Sequence, residues 1–157
     1  MRSVVHDDED QPLASRPLQS TVALEGGEPI AEARDAARRF MTEVQSVHGI
    51  PVSERAMGLV ELVASELVTN AHKYAPGPCL LDLVISDGAV EISVWDSDPA
   101  LPVPQEADPH RVGKHGLEIV MAVCRSFEIR REPVGKRVGA AIVLADDPRG
   151  HPAGRLI

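Results

Sequence analysis

The apolar pattern of this chain changes period at Pro76-Gly77-Pro78, and that change limits the folds open to it. Before the break, Met57, Val60, Val63, Ala64, Leu67, Val68 and Ala71 recur at helical spacing, and Ser53 stands where it can cap the helix. After it, "CLLDLVIS" and "AVEISVW" read as strands on either side of Asp87-Gly88, a pair that suits a tight hairpin turn. A helix that hands over to a hairpin in this way predicts layers, one helix stripe buried against one sheet face.

The remaining segments extend that picture. Ala37, Phe40, Met41, Val44 and Val47 share one face of an earlier helix, with Pro29 suited to its first turn and Gly49 and Pro51 to its end. "DSDPALPVPQEADPHRVGK" carries four prolines and no periodicity, which reads as a lid or binding loop. "GLEIVMAVCRS" returns to helical spacing, and "FEIRRE" and "KRVGAAIVL" form a last hairpin. The expected fold is α+β, a two-layer α/β sandwich with a mostly antiparallel mixed sheet and helices on one face. Residues 1–27, polar and closed by Gly26-Gly27, are expected as a flexible acidic arm, 28–145 as the domain and 146–157 as a C-terminal tail.

With 157 residues, 43% of them hydrophobic, the chain can bury one core. A net charge of -8 argues against nucleic acid or an anionic membrane as the main partner, since both reward a basic face. Cys79 and Cys124 are too few for a disulfide framework or a metal cage, which predicts a reduced compartment. No run approaches the ~20 apolar residues of a membrane span, and "MRSVVHDDED" has no signal-peptide core, so a cytoplasmic location is expected.

Four places carry chemistry. Glu66 and Asn70 lie one turn apart on a helix face, where a carboxylate and a carboxamide can hold a divalent cation, polarise a hydroxyl or water, or simply be wetted by solvent. Asp96 stands at a strand end, an acceptor for the exocyclic N–H of adenine or else an ordinary turn residue. In "GKHGLEIV", glycines open a helix whose first N–H groups are bare for an anion, although glycine before a helix is common. "VGKRVG" reads first as hairpin-turn chemistry.

Taken in order, these segments resemble the GHKL ATPase superfamily, which contains the ATP-binding domains of histidine kinases, and within it the stand-alone bacterial anti-sigma-factor serine/threonine kinases. The resemblance covers about 28–144. "ELVTNAHKYA" resembles the N box, which implies Glu66 as general base and Asn70 as magnesium ligand, with Lys73 beside the nucleotide. "VWDSDP" resembles the box whose aspartate, here Asp96, binds adenine, and "GKHGLEIV" the glycine box, with Gly113, Lys114, His115, Gly116 and Leu117 against the phosphates. "GKRVGAAIV" resembles the last box, without the family's threonine after Gly135.

Other departures are Asp96-Ser97-Asp98-Pro99-Ala100 where the family has D-x-G-x-G, Lys114 where a glycine is frequent, and Tyr74 in place of a histidine. The resemblance implies ATP and Mg2+ as cofactors and a sigma factor or an anti-sigma-factor antagonist as protein partner, with slow transfer because the lid glycines are missing. A non-catalytic module that sequesters its partner is the alternative. The stripe around Phe40 and Met41 is expected in the core, with a homodimer face as the other option.

Overall fold

The computed structural model describes residues 18–98 and 116–145. The elements run β1 (Leu18–Leu24), α1 (Ile30–Ser46), α2 (Glu54–Tyr74), β2 (Cys79–Ser86), β3 (Ala89–Asp96), α3 (Gly116–Val123), β4 (Ser126–Arg131) and β5 (Lys136–Val143). The five strands form one sheet in the order β1-β2-β3-β5-β4. Each neighbouring pair is antiparallel. The expected α+β fold, helices layered on a mostly antiparallel sheet, is what the chain adopts, and among the described residues every strand pairing is antiparallel. β3 and β4 point the same way and are joined through α3, but β5 lies between them and prevents a parallel pairing.

Local signals explain most element ends. Ser53 Oγ accepts from the Ala56 N–H at 3.0 Å and caps α2. Asp87 and Gly88 have φ of 52° and 75°, the two positive values that a two-residue turn between right-twisted strands needs. Pro29 sits one place before the first turn of α1, at its N-cap, with φ -61°. It contributes no side-chain hydrogen bond there.

One expectation is corrected. Leu18–Leu24, assigned to the flexible arm, is the edge strand β1, paired with β2 from Leu18↔Ile85 to Leu24↔Cys79. Leu24 is buried and Leu18 and Val22 pack against the core, while Gln19 and Thr21 face outward and donate to Asp82 Oδ1 at 3.0 and 2.7 Å. The chain then turns at Gly26, with φ 114°, where a Cβ would lie 2.7 Å from the Gly77 carbonyl oxygen. The rest of the expected arm, 1–17, and the expected tail, 146–157, lie outside the described residues.

Packing follows the two periods. α2 lays Val60, Val63, Leu67 and Val68 on the sheet, and α1 adds Phe40, Met41 and Val44, all buried; this puts the Phe40 and Met41 stripe in the core. The sheet answers with every second residue: Leu81 and Leu83 of β2, Val90, Ile92 and Val94 of β3, Val138, Ala140 and Ile142 of β5. The same alternation turns Asp96 and Lys136 inward, since each is two residues from a buried valine. They face each other directly in the β3–β5 register.

The β4–β5 turn packs against the end of β3. Trp95 Nε1 donates to the Val134 carbonyl at 2.8 Å. Gly135 has φ 81°, and a Cβ there would overlap the Asp96 carbonyl oxygen and come within 2.7 Å of Ser97 Cα. Gly135→Ala should therefore lower stability by about 1–3 kcal/mol through backbone strain alone. Urea midpoints compared for the two proteins check this, and an unchanged midpoint contradicts it.

Both thiols are held protonated. Burial, aided by the negative charge of Asp96, raises Cys79 from an ordinary 9.0 to about 11, and burial alone raises Cys124 to about 11. A raised folded-state value means that the stabilisation is complete below pH 9, where unfolded thiols also keep their protons, and is lost as pH rises through about 11. Stability measured by urea should fall across that window, and less steeply when both cysteines are replaced by alanine. Equal slopes would contradict the assignment.

Candidate functional site

The last turns of α2 explain why a core helix ends in polar residues. Leu67, Val68 and Ala71 face the core, which leaves Glu66 and Asn70 stacked on the adjoining flank. Glu66 is half-buried and Asn70 is buried at 9% exposure. Among the described residues, neither side chain is engaged in a hydrogen bond or an ion pair. The buried side-chain polar atom left without a hydrogen-bond partner among the described residues is His72 Nε2, in the same last turns of α2.

α3 begins beside this pair. Gly116 is its first residue, and a Cβ at that position would overlap Glu66 Oε1. The start of α3 and the tip of the Glu66 carboxylate therefore lie close together. Leu117 packs against the hydrophobic core. Lys73 is exposed, with its ammonium 5.7 Å from the centre of the Tyr74 ring, a cation–π contact. Gly113, Lys114 and His115, and the expected lid from Pro99 onward, lie outside the described residues.

Asp96 occupies the inner end of β3, between Cys79 of β2 and Lys136 of β5. Its side chain is 2% exposed. Oδ1 accepts the Asp98 N–H at 2.9 Å and the Lys136 ammonium at 3.2 Å. Oδ2 lies 3.2 Å from the same ammonium, which also donates to the Asp98 carbonyl at 3.1 Å. Lys136 is 1% exposed, so the cation is as deeply enclosed as its partner. The sequence reading treated Lys136 as turn chemistry and missed it. Its position two residues before inward-facing Val138 is the signal that identifies it.

The residues present match ATP with magnesium in kind. Asn70 offers an oxygen of the hard type that magnesium takes, and no group of three or more His, Cys, Asp or Glu among the described residues forms a separate metal site. A single protein ligand completed by phosphate oxygens and water is the usual arrangement for this ion. Asp96 is a pure acceptor of the kind that recognises an amino group, and it is engaged by Lys136.

The model of the histidine kinase-like ATPase domain family matches residues 29–142. Among solved structures, the histidine kinase domain of a blue-light-activated histidine kinase from Erythrobacter litoralis is similar, with 16% identity and a TM-score of 0.45. The similarity covers 71% of this chain and 61% of that one. No curated protein matches the sequence. The match to the family model spans the helices, the sheet from β2 onward and all the site residues described above, and the chain belongs to the histidine kinase-like ATPase domain family.

Proposed function

We propose that this domain is an ATP-binding regulator resembling an anti-sigma factor, which controls a sigma factor or an anti-sigma-factor antagonist and phosphorylates the antagonist on serine or threonine. The observation that supports it most is the pair Glu66 and Asn70, one turn apart on α2 with Glu66 beside the glycine that starts α3, and neither engaged in a hydrogen bond or ion pair among the described residues. Membership of an ATPase domain family supports the nucleotide.

In this reading Asn70 would hold magnesium through its carboxamide oxygen, and Glu66 would accept a hydrogen bond from the attacking hydroxyl and orient it. Gly116, the first residue of α3, would border the phosphates. ATP, when bound, supplies the phosphoryl group. Such transfer is carried mainly by positioning and charge neutralisation, so a few well-placed oxygens and amides suffice.

A second reading, sequestration of the partner without transfer, is favoured by one observation. The acceptor expected to recognise adenine is already engaged by a buried ammonium. The two readings separate at Glu66, which matters for transfer and not for sequestration.

Calorimetry with MgATP and the purified chain tests the assignment of roles. Asn70→Ala should weaken binding about tenfold, the loss of one metal ligand worth about 1.4 kcal/mol. Glu66→Ala should leave affinity unchanged and abolish transfer of label to an antagonist protein. Equal losses of affinity in the two variants would remove Glu66 from the role of base.

A further inference from the structure

We infer that Lys136 is an internal stand-in for the base of the nucleotide: its ammonium occupies the carboxylate of Asp96 and locks the site against adenine until the lysine is displaced. The inference rests on the ATP-binding reading and adds to it the residue that sets access and affinity.

Geometry carries it. A lysine ammonium has three N–H donors, and here it contacts three oxygens, Asp96 Oδ1 at 3.2 Å, Asp96 Oδ2 at 3.2 Å and the Asp98 carbonyl at 3.1 Å. No donor remains to read a base. On the acceptor side, Oδ1 already takes the Asp98 N–H as well. Both side chains are almost completely enclosed, at 1% and 2% exposure, so an amino group cannot approach the carboxylate beside the lysine. Two groups that satisfy one another inside the protein leave nothing for an incoming base unless one of them moves.

The backbone limits which one moves. Asp96 is fixed by its place between Cys79 and Lys136 in the ladder and by the Asp98 N–H that it accepts. Gly135, packed against the Asp96 carbonyl, holds the start of β5 close to the end of β3. Lys136 has a long, unbranched side chain, and rotation about its own bonds can withdraw the ammonium without disturbing the ladder. The movable half of the lock is the lysine.

The test is calorimetric titration of the full chain with MgATP, run on the wild type, Lys136→Thr and the double variant Lys136→Thr/Asp96→Ala. The lock predicts weak binding to the wild type, binding at least about tenfold tighter to Lys136→Thr, and loss of that gain in the double variant. Circular dichroism and a thermal melt establish that each variant is folded. Should the threonine variant not fold, Lys136→Gln takes its place, because it fills a similar volume and keeps a donor for Asp96; a gain of at least about threefold is then expected.

MgATP binding left unchanged or weakened by whichever Lys136 substitution folds would overturn the lock with the ATP-binding reading intact, and weakened binding would show that the ammonium helps to hold the nucleotide. If no folded protein, wild type or variant, takes up MgATP at millimolar concentration, the ATP-binding reading itself fails and the lock falls with it.

Discussion

The structure depends on burying one face of a twisted sheet under α2. Because side chains alternate along a strand, covering Leu81, Leu83, Ile92, Val94, Val138 and Ile142 fixes which residues of each strand point inward. A slip of one residue in β5 would expose Val138, Ala140 and Ile142 together and bury Arg137, so the register is strongly held. That register brings Asp96 opposite Lys136 at the end of the sheet. The polar pair at the site follows from the packing of the hydrophobic core a few residues away.

The energetic balance at that pair decides how the site behaves. Removing the partner of a buried ion pair costs about 3–5 kcal/mol, because the remaining charge stays desolvated. A hydrogen bond to a charged group contributes about 1.5–3 kcal/mol. On the proposed reading, the base alone would therefore not displace the lysine. Whatever opens the base end has to draw on binding at the other end, where Asn70 and Glu66 have no protein partner among the described residues. Such a buried pair is weak evidence of added stability, since apolar replacements of similar volume serve as well, and it is better understood as a device that fixes a state.

Local chemistry was legible in the sequence and long-range pairing was not. The Ser53 cap and the Asp87-Gly88 turn involve neighbours in the chain, and each was readable from residue type alone. β1 escaped because its strand character depends on β2: Ser20 interrupts the inward apolar series of Leu18, Val22 and Leu24, and the ladder partners, such as Leu81 for Val22, are remote. The Glu66 and Asn70 pair was visible as a helical spacing. Lys136 was hidden for the opposite reason, since a lysine beside a turn glycine is ordinary, and its meaning comes only from a carboxylate 40 positions earlier in the chain.

The two ends of the site are built on different kinds of element, and this shapes how they can be coupled. Glu66 and Asn70 stand on a helix anchored by Leu67, Val68 and Ala71, all buried, so their positions are set before any ligand arrives. The base end is set by a side chain that must leave. A ligand that engages the preformed end first raises the local concentration of its own base at the lock, and the work of displacing Lys136 is then shared with contacts already made. On the proposed ATP-binding reading, a domain so arranged would answer to the whole nucleotide with its metal and discriminate against a free base, because only the whole ligand offers enough contacts to exceed the stability of the ion pair.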